Sequence, residues 1–251
     1  MCASSHDPFC CRFNEWINQQ HQDLQELLHA STFTRDNSVE LRHIGEKCLK
    51  HFEDYLHSRV QLAKLNAPQL FSPSYFSSFE QSFLWIGGCR PTLALHLVYS
   101  LCGSQLKSQL PELCQGERKD NIADISADQL NLINSLHCKT VKEEEKLESE
   151  LTGPQEKMAK SMFSMVANHS SSVAESSGDV DRALDAHSKA LAGIVVDADN
   201  LRMSTLKELM NILTPLQLVD LLVASKKLHL SFHGWAQRRE NHNKEQSSNQ
   251  H

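Results

Sequence analysis

The stretch KKLHLSFHGW, Lys226 to Trp235, places His229 and His233 four residues apart inside an apolar run. At about 100° per residue, a four-residue step leaves the two imidazoles about 40° apart around a helix, one turn above the other. Imidazoles so placed can share one Zn²⁺ when further ligands arrive from elsewhere. They cannot be the two trans ligands of one haem, which approach iron from opposite sides, so with haem one ligates while the other supports or replaces it. The plainer alternative is a pair of partly exposed helix histidines hydrogen-bonded to neighbours. Leu218 and Leu222 extend the histidine face, and Leu228, Phe232 and Trp235 form the adjoining apolar stripe. Lys226 stands at the same edge, with a charge suited to an anionic group such as a haem propionate.

Other chemistry-bearing patterns are weaker. Glu26 with His29 and Glu40 with His43 fit the E-x-x-H spacing of di-iron bundles, but both pairs lie beside the apolar stripes of their helices instead of on them. WIGGCRP, Trp85 to Pro91, has glycines ahead of a helix start but lacks the phosphate-loop pattern and a preceding strand. It reads as a helix-to-helix corner, at which Arg90 and the first turn of the next helix can hold a carboxylate internally. KEEEK, Lys142 to Lys146, reads as the wet face of a long helix and is assigned no chemistry. No nucleophile elbow or comparable catalytic context is found, which makes an enzyme the weaker class. The eight cysteines contain no C-x-x-C pair, so the sequence suggests neither a zinc-finger array nor a disulfide framework.

The elements that would carry these residues are helical throughout. Asp7 and Pro8 make a cap with proline at the first position, ahead of Phe9, Phe13, Trp16, Ile17, Leu24, Leu27 and Leu28 at helical spacing. Asn37 with Glu40, Ser77 with Glu80, and Ser126 with Gln129 read as capping boxes, and Thr214 with Pro215 opens the last helix. Pro68 and Pro73 should break the second helix, and Gly153–Pro154 should kink or interrupt the long helix that starts near Ser126. Ser170 to Gly178 reads as a linker by composition. The expectation is an all-α fold, a single bundle-like domain of long antiparallel helices over residues 8–239, with a disordered tail over 240–251.

A net charge of −6 argues against a whole-domain grip on nucleic acid or an anionic membrane. No apolar run approaches the ~18 residues of a membrane span, and the first residues do not read as a signal peptide. Location in the nucleus and cytoplasm is expected, without membrane or direct nucleic-acid partners; a homo-oligomer is left open.

Four longer stretches carry a resemblance: LWIGGCRPT with LVYSLCGSQ, DISADQLNLINSLH with EEEK, VVDADNLRMSTLKELMNILTPLQ, and KKLHLSFHGW. In order, over about Phe13 to Arg239, they resemble the plant DELAY OF GERMINATION family, whose domain also forms the C-terminal half of TGA-type bZIP factors. No basic region with leucine heptads precedes FCCRFNEWINQQHQDLQELL, so the likeness is to the stand-alone members. The resemblance implies a non-enzymatic regulator of seed dormancy in abscisic acid signalling. It further implies haem as cofactor, clade A type 2C protein phosphatases as partners, and His229 and His233 as the haem histidines. A Cys-Pro haem-regulatory dipeptide is absent, because Arg90 follows Cys89. The alternative is a transcriptional co-regulator that associates with bZIP transcription factors. Phe13, Trp16 and Ile17 of the first helix are expected to form the partner surface, since exposed aromatics anchor interfaces.

Overall fold

The structure, a computed structural model, describes residues 7–113, 122–168 and 177–248. These contain seven α-helices: α1 (Pro8–Phe33), α2 (Ser38–Phe71), α3 (Ser78–Gln81), α4 (Thr92–Leu113), α5 (Ala127–Asn168), α6 (Ser177–Ile212) and α7 (Pro215–Ser248). A 3-10 turn, Ile122–Asp124, leads into α5, and no strand occurs among the described residues. Of the expected linker, Ser170 to Gly178, residues 170–176 lie outside the described residues and Ser177 and Gly178 belong to α6.

Helix starts follow the local chemistry. Asp7 accepts the Phe9 N–H at 3.0 Å, and Asn37 accepts that of Glu40 at 3.2 Å. Ser77 and Glu80 form a complete capping box. Ser126 with Gln129, and Thr214 with Gln217, exchange the same reciprocal pair of bonds. Gln129 Nε2 also donates to Gln217 Oε1 at 2.9 Å, fastening the starts of α5 and α7 together.

The break expected around Pro68 and Pro73 is present, with a kink just before Pro68 and the end of α2 just before Pro73, whereas α5 departs from the expectation. In α2 the non-helical residue is Asn66 (φ −159°, ψ 84°), two residues before Pro68. Pro68 therefore sits in the first turn after the kink, where its missing N–H leaves no bond broken. α5 passes through Pro154 without interruption. The carbonyl that Pro154 leaves free belongs to Glu150, which is exposed, so water can take the lost bond. α7 runs on to Ser248, beyond the expected boundary at Arg239, and only 249–251 of the expected tail lie outside the described residues.

α1 packs antiparallel to both α2 and α7, while α2 packs on α6 and α6 on α5. Leu27, Leu41, Leu49, Leu95, Ile133, Leu209, Leu218 and Leu222 fill the larger core cluster. Gly45 lets α2 approach α7 closely: a Cβ there would stand 2.7 Å from Leu218 Cδ2.

The glycine corner is a tight turn whose residues Ile86 and Gly87 both have positive φ (44° and 67°). Trp85 and Gly88 exchange backbone bonds of 2.8 and 3.1 Å across it. Two buried guanidiniums hold its carbonyls. Arg202 donates to Trp85, Ile86 and Cys89, and Arg59 donates to Gly87. Asp199 lies between them, 2.8 Å from Arg59 and 2.5 Å from Arg202. A Cβ at Gly88 would meet the Arg202 guanidinium at 2.9 Å, so this residue must be small for the clamp to close.

Beyond the turn, Glu144 of α5 caps α4. It accepts the Thr92 N–H at 2.8 Å and pairs with Arg90 at 2.6 Å. The expected internal carboxylate at Arg90 is thus Glu144, which is 1 % exposed. That corrects the reading of KEEEK as a wet face: one of its three glutamates turns inward, because the start of α4 presents unpaired N–H groups there.

Candidate functional site

The histidine pair lies on the seam between α1 and α7, which runs antiparallel from Phe13 opposite His233 to Asp23 opposite Lys226. Two buried polar centres occupy this seam. At the first, Lys226 Nζ donates to Asp23 Oδ2 at 2.8 Å and to Gln20 Oε1 at 3.1 Å. The other Asp23 oxygen meets His51 Nδ1 at 2.8 Å and Gln19 Nε2 at 2.8 Å. Burial pushes the Asp23 carboxyl upward, but the Lys226 charge and the hydrogen bonds outweigh it, so the pKa lies below the ordinary aspartate value.

At the second centre, His233 Nδ1 lies 2.5 Å from Glu80 Oε1. Glu80 Oε2 accepts from the Ser77 N–H at 2.9 Å and from the Ser77 hydroxyl at 2.7 Å. Against the upward effect of burial, the bonds from His233 and Ser77 hold Glu80 below its usual range. Phe13 meets the His233 ring edge-to-face, with centroids 5.4 Å apart. His233 is therefore oriented on two sides while its Nε2 makes no hydrogen bond to any described residue.

His229 falls between the centres, three residues after Lys226 and four before His233. Burial, then the nearby His233 and Lys226 charges, lower its pKa to about 4. Its imidazole is neutral at physiological pH, the form that coordinates metals.

The structure keeps His229 and His233 together and separates the other expected residues from them. Lys226 does not face solvent at the domain edge: it is 5 % exposed and committed to Asp23. A buried ammonium needs its counter-charge, and α1 supplies it. Exposed cations on the same stretch of α7 include Arg238 and Arg239, and the Arg239 guanidinium carbon lies 5.9 Å from the Phe79 ring centre. Phe13, expected on a partner surface, is buried against Tyr75 and Phe76. Trp16 and Ile17 are half-buried, with Trp16 stacked on Tyr55 at 4.5 Å and 7°. Trp16→Ala is therefore expected to destabilise the protein by about 2 kcal/mol, since a half-buried Trp loses part of the 3–5 kcal/mol of a fully buried one. Urea denaturation measures this, and an unchanged midpoint would return Trp16 to the role of a free anchor.

The exposed aromatic surface lies one face away. Phe79, Phe83 and Phe232 form a triangle with centroids 5.2–5.5 Å apart, and Trp235 and Leu228 continue it along α7. A cleft of about 240 Å³ beside it, lined by Ser77, Phe79, Ala236 and Arg239 among others, is smaller than the ~300 Å³ of the smallest usual ligand pockets. Glu26 of the E-x-x-H pairs is engaged by Lys47 at 2.7 Å. Among the described residues no three His, Cys, Asp or Glu side chains converge as a metal site, so zinc on the pair would need ligands from another molecule.

A family model described as Seed dormancy control (DOG1) matches residues 20–100. Protein DOG1-like 1 of Arabidopsis thaliana is 32 % identical over 94 % of this chain and 91 % of its own length. Protein RESPONSE TO ABA AND SALT 1 of the same plant is 24 % identical over 91 % of this chain and 94 % of its own. The TGACG-sequence-specific DNA-binding protein TGA-2.1 of Nicotiana tabacum is 28 % identical over 86 % of this chain but only 43 % of its own length.

Proposed function

Because the chain belongs to the Seed dormancy control (DOG1) family, we propose that it is a non-enzymatic regulator of seed dormancy that binds partner proteins and takes haem at His229 and His233. The observation that carries the ligand part is the Glu80–His233 pair. Histidines that ligate metals characteristically give their other ring nitrogen to a carboxylate, which fixes the ring and raises its basicity. Neutral His229, one turn away, supports or replaces His233, and Phe232 and Trp235 offer apolar cover. Arg239 takes the place first expected of Lys226 for an anionic substituent. Bound haem would supply an iron responsive to redox state or small ligands.

The name of one relative, RESPONSE TO ABA AND SALT 1, supports placing this regulator in abscisic acid signalling, and the partners proposed for it are the type 2C protein phosphatases that the sequence resemblance implies. The exposed surface around Phe79, Phe83, Phe232 and Trp235 is the better anchor for such a partner than α1, whose large aromatics are occupied internally. Among the described residues no helix is long and apolar enough to cross a membrane, and action in the nucleus and cytoplasm fits the proposal.

The test is the visible spectrum of protein purified with haem supplied. The wild type is expected to give a Soret band that His229→Ala/His233→Ala abolishes, with Glu80→Gln shifting or weakening it. An unaltered band in the double variant overturns the assignment. A second reading, a co-regulator bound to bZIP factors, is favoured by the TGA-2.1 likeness over 86 % of this chain. Co-purification with a DNA-bound bZIP protein, together with no DNA shift by the chain alone, would distinguish it.

A further inference from the structure

The seam between α4 and α5 carries a second histidine pair, remote in sequence from the first. The helices run antiparallel, and three polar contacts follow one another along it: Thr92 with Glu144, His96 with His137, and Tyr99 with Asn134. The outer two are closed hydrogen bonds of 2.8 Å each. The middle one is not: the imidazoles meet edge-to-face at 5.0 Å between centroids and 83° between planes, and no described residue hydrogen-bonds either ring. His96 is exposed and His137 half-buried, so both are open to solvent on one side.

The geometry points to a transition-metal site in which His96 and His137 clip α4 to α5. Nitrogens ~2.1 Å from one ion at a near-tetrahedral angle place two imidazole centroids about 5 Å apart, the separation present here. The backbone already sets this distance, because the Thr92–Glu144 bond fixes the helix register one turn away along α4 and two turns away along α5. Only rotation about the side-chain torsions is needed to aim both nitrogens into the gap, and rings without hydrogen-bond partners make that turn readily. With two protein ligands, the remaining positions belong to water. That donor set suits a borderline ion such as Zn²⁺ or Cu²⁺ and not Mg²⁺ or Ca²⁺, which require oxygen. Tyr99, 5.7 Å from His137 between ring centres, walls one side.

The experiment compares the full chain with His96→Ala, His137→Ala and His229→Ala/His233→Ala. Cu²⁺ is titrated by calorimetry and followed by the nitrogen couplings in its electron paramagnetic resonance spectrum; Zn²⁺ is followed by melting temperature. The expected result is a tight class with two nitrogen ligands that weakens at least about tenfold in either single variant, because the second imidazole acts as an intramolecular ligand. It persists in the His229/His233 variant. Zn²⁺ at a hundredfold excess over its dissociation constant raises the melting temperature of the wild type by roughly 5 °C or more, and of the single variants by less. Equal affinity in all four proteins, or loss only in the His229/His233 variant, overturns the assignment. Retention here with loss of the haem band there, or the reverse, keeps the two sites distinguishable.

Discussion

Replacing Asp199 by Ala is expected to lower stability by about 3–5 kcal/mol, because it leaves two buried guanidiniums facing each other without a counter-charge. Arg59, Asp199 and Arg202 are all nearly inaccessible, at 5 %, 3 % and 4 % exposure. Without the carboxylate, the cations must draw in water or turn outward, and either movement releases the carbonyls of Trp85, Ile86, Gly87 and Cys89. The positive φ of Ile86 is then no longer held, so the corner between α3 and α4 should loosen with it. Circular dichroism should show a fall in melting temperature of roughly 10 °C for a chain of this size. Replacing only Arg59 by Met should cost less, since Asp199 keeps Arg202. A loss below about 1 kcal/mol in the Asp199 variant would mean that the clamp does not hold the turn.

Acid is expected to weaken the α1–α7 seam in two steps. The folded pKa of His229, about 4, lies below its ordinary value of 6.5, so the unfolded chain binds the extra proton between those values. Stability therefore falls as pH drops from about 6.5 toward 4, by roughly 2–3 kcal/mol once partial solvent access is allowed for. Asp23 and Glu80 act lower. Their folded pKa values are depressed, so their contribution is complete above the unfolded carboxylate range and is lost as pH falls through the folded values. Urea denaturation at pH 7, 5.5 and 4.5 measures the first step. His229→Gln, which cannot be protonated, should flatten the slope in that window; an unchanged slope would assign it to other groups.

What could be read from the sequence, and what could not, follows from the range of the interactions. The capping boxes at Ser77 and Ser126 and the caps at Asp7 and Thr214 are made by residues two or three apart and have the expected bonds, while at Asn37 only the Glu40 N–H bond of the expected box forms, the Asn37 N–H going to Thr34. The all-helical fold and the family likeness were equally legible. Glu144 and Lys226 were misplaced for a common reason. Helical periodicity says which residues share a face, but not which other helix arrives there with a bare N-terminus or a carboxylate. The pairing of Asp23 with Lys226 and of Glu80 with His233, across 203 and 153 residues, is beyond the reach of periodicity for the same cause. Asp199 and Arg202 did leave a signal: opposite charges three residues apart, on the same side of the helix as the apolar Val195 and Ala198. The aromatics of α1 show the converse limit, since crowding of Phe9, Phe13, Trp16 and Ile17 on two turns is also what a helix needs when it packs against two neighbours.

α1 and α7 are each other's partners, and this has a consequence during synthesis on the ribosome. Phe13 contacts His233, and Asp23 contacts Lys226, so α1 emerges more than two hundred residues ahead of the surface that completes it. At ~5–20 residues per second, that interval is roughly 10–40 s. Throughout it the nascent chain carries Asp23 without Lys226 and the α7-facing side of α1 uncovered, sheltered only by α2 and the Tyr75–Phe76 segment that follows it. The α1–α7 seam can therefore close only once α7 has been made, and until then α1 offers chaperones an apolar stripe.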